Sequence, residues 1–213
     1  MPHPPAELSG LALHPGYFPR DAQAELAAAI ADILAKAPYF TPRMPRTGKP
    51  FSVRMSNCGL LGWVSDVDGY RYQPHHPDTG EPWPAMPDAL VALWRDVGAP
   101  AEPDACLINH YAAGARMGLH QDRDEDTFDA PVVSVSLGDT AVFRMGGLTR
   151  KGATRSVRLA SGDVVVFGGE ARLMYHGIDR VLAGSSTLWP EGGRINLTLR
   201  RVRPLAVTEG AER

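Results

Sequence analysis

Apolar positions recur at two different periods in this chain, and the change falls near residue 104. In "DAQAELAAAIADILAKAP" (21–38), Leu26, Ile30, Ile33 and Leu34 return every three or four residues. That is the spacing of one helix face, with Asp21 placed to cap its start and Pro38 to stop it. "MPDALVALWRDVGAP" predicts a second helix, with Pro87 in its first turn and Gly98-Ala99-Pro100 at its end. Between them, residues 42–84 are rich in Pro and Gly and hold short strand-like pieces, "FSVRMSNCG" and "GYRYQP". Their aromatics would be costly to leave in water, so this region reads as structured loops and a hairpin.

From 104 onward the period is two. "ACLINHY", "PVVSVSLG", "TAVFRM", "RSVRLA", "GDVVVFGG", "RLMYHGI" and "RINLTLRR" are short β-type runs parted by Gly, Asp and Pro turns. Regular short strands without intervening helices argue for a sandwich or barrel. The expected architecture is α+β, mainly β: two N-terminal helices packed on a β-sandwich in one domain. Residues 1–103 would supply helices and a lid, 104–203 the β core, and 204–213 a frayed tail.

Composition narrows the classes. At 213 residues the chain can bury one good core, and its 44% apolar and 22% charged content is that of an ordinary globular protein. A net charge of −2 does not advertise nucleic-acid binding, so any such binding must come from local patches. Two are visible without acids: 42–54, with Arg43, Arg46, Lys49 and Arg54, and 144–158, with Arg144, Arg150, Lys151, Arg155 and Arg158. "MPHPPAELSG" has neither a basic n-region nor an apolar signal core, and no apolar run reaches the roughly 18–20 residues of a bilayer span. Cys58 and Cys106 make no disulfide framework and lack CxxC spacing, which suits a reducing cytoplasm.

"RMGLHQDRDEDTF" (116–128) poses the chemical question: is His120-Gln121-Asp122 part of a metal site or an acidic turn? Residue frequencies alone give roughly half an HxD triplet in a chain of this size, and a second triplet, His76-Pro77-Asp78, exists. That second one lies in "QPHHPDTGEPWP", where Pro and Thr-Gly suggest a solvated turn. In the first, an extended backbone would aim His120 and Asp122 at one point. A 2-His-1-carboxylate iron site needs one more histidine. His3 and His14 are terminal, His75 and His76 sit in the turn, and His110 is out of phase with its polar neighbours. His176, in "GGEARLMYHGIDRV", is the natural third ligand.

The last strand adds weight. In "RINLTLRR", Arg194, Asn196, Thr198 and Arg200 share one face, and Ile195, Leu197 and Leu199 the other. If the apolar face is packed, the opposite face carries two guanidiniums into the sandwich, where they require anions. Asn109 and Tyr111, on one face of "LINHY", can hydrogen-bond an oxyanion. The competing reading is a solvent-facing edge strand blunted by arginine.

Together, HxD, a distant His, Asn-x-Tyr and R-x-N-x-T-x-R resemble the AlkB family of Fe(II)- and 2-oxoglutarate-dependent dioxygenases, in its bacterial DNA-repair form. "SNCGLLGW", "PWPAMP", "PDACLINHY", "LHQDRDE", "PVVSVSLG", "GDVVVFGGEARLMYHGI" and "RINLTLRR" occur in family order, over roughly residues 51–201. The resemblance implies a double-stranded β-helix (jelly-roll) core. It implies iron on His120, Asp122 and His176, and 2-oxoglutarate on Asn109, Tyr111, Arg194, Asn196 and Arg200. It further implies Trp63 as a stacking platform for a flipped base, and Tyr70, Tyr72, Asp124 and Arg150 as substrate contacts.

The implied reaction consumes 2-oxoglutarate and O2, gives succinate and CO2, and hydroxylates the N-methyl group of 1-methyladenine or 3-methylcytosine in DNA, which then sheds formaldehyde. Single- or double-stranded DNA is the expected partner, with no membrane and a monomer as the working state. RNA or a small molecule under the same chemistry, and a non-catalytic jelly-roll binding module, are the alternatives. The chain departs from the family at "RMPRTGKPF" in the lid, at Leu60, and at Phe167, where the best-known bacterial relative has Trp. Glu125 and Asp126 read as a solvated loop.

Overall fold

The computed structural model describes residues 8–204; the expected frayed tail, 204–213, lies outside the described residues from 205 onward. In chain order the elements begin with β1 (Leu11–His14), α1 (Arg20–Lys36), β2 (Arg54–Gly59), β3 (Gly62–Asp66), β4 (Gly69–Gln73) and α2 (Asp88–Asp96). They continue with β5 (Ala105–Tyr111), β6 (Met117–His120), β7 (Val132–Gly138), β8 (Ala141–Met145) and β9 (Arg155–Leu159). A 3-10 turn at Gly169–Leu173 separates β10 (Val164–Phe167) from β11 (His176–Val181), and β12 (Arg194–Arg200) ends the fold.

These strands form two facing sheets and one hairpin. The larger sheet runs β1-β10-β7-β12-β5-β2, the smaller β6-β11-β8-β9, and β3 pairs with β4 alone. The pairings within all three are antiparallel. This is the expected jelly roll, in which two sheets share one interior.

The alternation along β12 decides what each side of the larger sheet meets. Ile195, Leu197 and Leu199 pack with Leu26, Ile30 and Ile33 of α1 and Leu90, Leu93 and Trp94 of α2. Each such side chain taken from water contributes about 1.5–3 kcal/mol, so the helices seal that face. The other face looks between the sheets. There Leu107 and Tyr111 of β5 join Phe143 and Met145 of β8, Phe167 of β10 and Ile178 of β11. Arg194, Asn196, Thr198 and Arg200 therefore point inward, and all four are buried. The edge-strand reading of this segment is excluded, because β12 is hydrogen-bonded on both sides, to β5 and β7.

Three local expectations need correction. Pro19, not Asp21, occupies the N-cap of α1, and no side chain caps that helix. Pro suits the site because it has no N–H to leave unpaired at the helix start, while Asp21 in the first turn complements the helix dipole. β1 was not anticipated: it adds four residues to the edge of the larger sheet through β10. His76 is not solvated but 2% exposed, held between Phe40 and Trp83. Its Nε2 faces the Pro38 carbonyl at 2.7 Å, and its Nδ1 accepts the backbone N–H groups of Asp78 and Thr79. It braces a turn and is no ligand.

Candidate metal and diacid site

β6 ends at His120 and β11 begins at His176, and the two histidines are register partners. Their rings lie 4.5 Å apart between centroids. The strand pairing, rather than loop chance, therefore brings together residues 56 apart. Gly177 makes the approach possible: a Cβ there would stand 2.6 Å from the Met117 carbonyl oxygen. Asp122, two residues past β6, completes a set whose ligand atoms all lie within 4.8 Å of one another.

The hydrogen bonds orient these groups for a cation. His120 Nδ1 lies 2.9 Å from the Gly118 carbonyl and His176 Nδ1 3.0 Å from that of Met174. A carbonyl only accepts, so both Nδ1 atoms carry the proton and both Nε2 atoms turn a lone pair inward. Those lone pairs sit 3.6 and 3.7 Å from the two oxygens of Asp122. Three acceptor groups converge, and Arg200 meets only Oδ1 of Asp122, so the two Nε2 lone pairs and Asp122 Oδ2 face one another as a bound cation would require. Two imidazoles and one carboxylate on one side suit ferrous iron with open positions for other ligands. Burial pulls the His176 imidazole down to about 4, with neighbouring His120 adding to this against the pull of Asp122. It is neutral and ready to ligate at physiological pH.

Behind the metal set lies a buried ionic network. Burial would raise the Asp122 carboxyl, but Arg200, His176, His120 and Arg172 hold it well below the usual carboxylate range. Arg200 reaches Asp122 at 2.6 Å, Glu125 at 3.0 Å and the Tyr72 hydroxyl at 2.6 Å. Arg172 lies 3.2 Å from Glu125 and donates to the backbone carbonyls of Asp122 and Ala130. Two guanidiniums thus balance two carboxylates. Glu125, expected in a solvated loop, is instead 6% exposed; Asp126 is indeed exposed. Neither Arg172 nor Glu125 stood out in the sequence. Their only signal is adjacency to ligand segments, Glu125 three residues after Asp122 and Arg172 four before His176.

Arg194 stands outside this balance. It is 1% exposed, donates to Ser136 Oγ at 3.0 Å, and its Nε and Nη1 have no partner. No carboxylate meets it among the described residues. Burial lowers its guanidinium to about 10, with only the Tyr111 ring beside it in compensation. Asn109 leaves its Oδ1 buried without a donor, while its Nδ2 lies at the edge of hydrogen-bond reach of Asn196 and Thr198. The Asn196 amide is already held by Ser134 Oγ and the Val135 carbonyl. An unpaired buried cation facing a cavity wants an anion, and a carboxylate matches its fork.

All of this opens into one cavity of about 820 Å³. Its walls include the three candidate ligands, Asn109, Tyr111, Arg194, Asn196 and Arg200, and, nearer the surface, Trp63, Tyr70, Asp124 and Arg150. Trp63 donates from Nε1 to Asp124 at 2.8 Å and stacks on Tyr70 at 5.6 Å between centroids, 18° from parallel. Tyr72 is the exception. It does not line the cavity; its hydroxyl donates to Glu125 at 2.9 Å and ties the β3–β4 hairpin to the ionic network.

The model of the 2OG-Fe(II) oxygenase superfamily matches residues 10–200 of the chain. The chain is similar to an Alpha-ketoglutarate-dependent dioxygenase AlkB homolog of Caulobacter vibrioides, with 56% identity over 195 residues, covering 91% of this chain and 88% of that protein. It is also similar to the Alpha-ketoglutarate-dependent dioxygenase AlkB of Escherichia coli K12, 45% identical over 189 residues, or 86% and 87% of the two chains. Among solved structures, that of OsALKBH1 superposes with a TM-score of 0.79 at 29% identity, covering 90% of this chain and 96% of the other.

Proposed function

This chain belongs to the AlkB family within the 2OG-Fe(II) oxygenase superfamily, and on that footing we propose that it removes N-methyl groups from alkylated bases in DNA. 1-Methyladenine and 3-methylcytosine are the substrates we infer, and the protein would act as a cytoplasmic monomer. It is an Fe(II)- and 2-oxoglutarate-dependent dioxygenase. Iron, when bound, supplies the oxidation that converts 2-oxoglutarate and O2 to succinate and CO2 and hydroxylates the methyl carbon.

The residues divide that work. His120, Asp122 and His176 would hold the metal through Nε2, carboxylate and Nε2. Arg194 would grip the carboxylate of 2-oxoglutarate remote from the metal, with Tyr111 and Asn109 beside it. Arg200 would hold Asp122 in place and meet the near end of the co-substrate. Trp63 offers the face on which an extruded base can stack, and Asp124 puts a negative charge where a methylated, cationic ring would lie. The hydroxylated product loses formaldehyde without needing a further residue.

The observation that carries this reading is one cavity whose wall holds three metal-competent acceptors together with Arg194, a buried guanidinium that meets no anion among the described residues. Among the described residues, no helix is long and apolar enough to cross a membrane. The buried, unbridged Cys58 and Cys106 support a reducing compartment.

The test is mass spectrometry of a single-stranded oligonucleotide bearing one 1-methyladenine, incubated with protein, Fe(II), ascorbate and 2-oxoglutarate in air. Loss of one methyl mass with the wild type, and none with His176→Ala, is the expected result. Succinate without demethylation would keep the oxygenase and reject the DNA lesion. Demethylation of the matching RNA alone would move the substrate to RNA.

A further inference from the structure

The smaller sheet has an outer face that the metal site does not use. Along β8, β9 and β11, the inward residues Phe143, Val157 and Ile178 enter the interior, so their neighbours face out. Gly177, Arg144 and Ser156 form one outward row across the three strands, and Arg180, Val142 and Arg158 the next. Arg158 and Arg180 are exposed and Arg144 is half-buried. Arg116, immediately before β6, is also exposed. The side chains of Arg116, Arg158 and Arg180 make no hydrogen bond or ion pair among the described residues, whereas Arg144 donates to Asp179. Asp179 is the one acid of this group: residues 105–121 and 140–162 contain neither Asp nor Glu.

Beside this face lies a second cleft of about 220 Å³, lined by Arg116, Met117, Gly118, Leu119, Arg144, Gly177, Ile178 and Asp179. Six of these residues, Arg116 to Leu119 with Gly177 and Ile178, also line the metal cavity. The two spaces therefore share β6 and β11 as a border, and Gly118 and Gly177 stand in it. Gly118 is exposed, and a Cβ on it would meet nothing within 4 Å, so the backbone there is open to a bulky group.

We propose that this outer face is a phosphate-binding track, which holds the sugar–phosphate backbone of nucleic acid flanking the target nucleotide through Arg116, Arg144, Arg158 and Arg180. It rests on the reading of the cavity as a nucleic-acid demethylase site. Arg158 and Arg180 flank Val142 on the two neighbouring strands, so at about 4.8 Å per strand they stand roughly 10 Å apart, and the guanidiniums suit an extended polyanion rather than a point anion. A chain with net charge −2 gains nothing at long range from its bulk charge, and a concentrated basic face next to the site entrance supplies what the total does not. Asp179 orients Arg144 without cancelling the other three.

The double variant Arg158→Glu/Arg180→Glu changes two exposed residues, and Arg158→Lys/Arg180→Lys keeps their charge. Fluorescence anisotropy of an oligonucleotide of about 20 residues bearing one 1-methyladenine is followed against KCl concentration. Losing two phosphate contacts should flatten the slope of log K against log salt by about 1.4 for a single strand. The Lys variant should keep the wild-type slope, and turnover of 1-methyl-dAMP should be unchanged in both. An unchanged slope in the Glu variant, or an equal loss on the mononucleotide, overturns the track. An equal loss on duplex and single strand supports the track, and a loss confined to duplex places the arginines on the complementary strand and overturns it. If the wild type demethylates none of these probes, the demethylase reading fails, and the binding slope still judges the track.

Discussion

Arg172 donates to the backbone carbonyl of Asp122 at 2.7 Å, across 50 positions of sequence. The same guanidinium faces Glu125 at 3.2 Å and donates to the Ala130 carbonyl at 3.0 Å. It neither lines the cavity nor hydrogen-bonds a candidate ligand side chain, yet it ties down the segment that carries the Asp122 carboxylate. Replacing a group of this kind lowers metal affinity about 10–100-fold in comparable sites. Arg172→Lys is therefore expected to weaken Fe(II) binding by about that factor, measured by titration, while leaving KM for 2-oxoglutarate at saturating iron nearly constant. Arg172→Ala also leaves the buried Glu125 Oε2 without its cation, with Arg200 and Tyr72 holding only Oε1, and its melting point should fall below that of the Lys variant.

The unpaired Arg194 gives a prediction with opposite signs in two states. Its guanidinium sits near 10 in the fold because burial disfavours the charge. Below that pH the cation is present folded and unfolded alike, so folding bears the full penalty. Stability is regained only as pH climbs from about 10 toward 12.5, where the unfolded chain still holds the proton and the folded one has released it. Arg194→Met removes the penalty at every pH. It should raise the melting temperature of the ligand-free protein, by about 2–4 °C for each kcal/mol relieved in a chain of this size. The stabilisation that 2-oxoglutarate gives the wild type should vanish in the same variant. A scan with and without the diacid reads both effects, and a drop in the ligand-free melting point would show that Arg194 is already paired.

How far the sequence leads follows from the range of each interaction. Alternation along β5, β7 and β12 is local, so the strands and the inward face of β12 were readable from "ACLINHY", "PVVSVSLG" and "RINLTLRR". The HxD pair is also local, two residues on one extended stretch. His176 was reachable because few histidines compete for the role. The Arg172–Glu125–Arg200–Tyr72 network was not readable, since it joins four segments through side chains whose types are common on surfaces. Glu125 in "DRDEDTF" looks solvated for that reason. His76 misled in the same way: "HHPDTG" is a turn, but Phe40 and Trp83 arrive from distant segments to bury it. β1 was lost because four residues carry too little period to register.

On the proposed function, Trp63 is expected to serve base recognition and not oxidation. Its ring is buried on one side against Phe51 and stacked on Tyr70, and it opens to the cavity near the ligands. Stacking on such a ring contributes about 1–3 kcal/mol per base, or roughly 5–150-fold in affinity. Trp63→Ala is expected to lower kcat/KM for a methylated oligonucleotide within that range, with substrate-free conversion of 2-oxoglutarate to succinate preserved. Equal losses in both assays would instead make Trp63 a packing residue of the interior.

Gly177 tests whether strand pairing sets the metal geometry. It follows His176 on β11 and lies against β6, which carries His120. A Cβ at 177 would fall 2.6 Å from the Met117 oxygen and 2.9 Å from the Gly118 oxygen, both of them backbone atoms that cannot rotate aside. Gly177→Ala must therefore push β6 away from β11 and with it the two imidazoles. Gly118→Ala on the facing strand meets open space and serves as the control. The Gly177 variant should lose Fe(II) affinity by at least tenfold while a Gly118 variant stays near wild type, since a ligand displaced by even half an ångström no longer fits a site that tolerates little more. Titration of both proteins, with melting curves to confirm the fold, decides it. Unchanged affinity in Gly177→Ala would mean that the loops after β6 and before β11, not the strands, hold the histidines together.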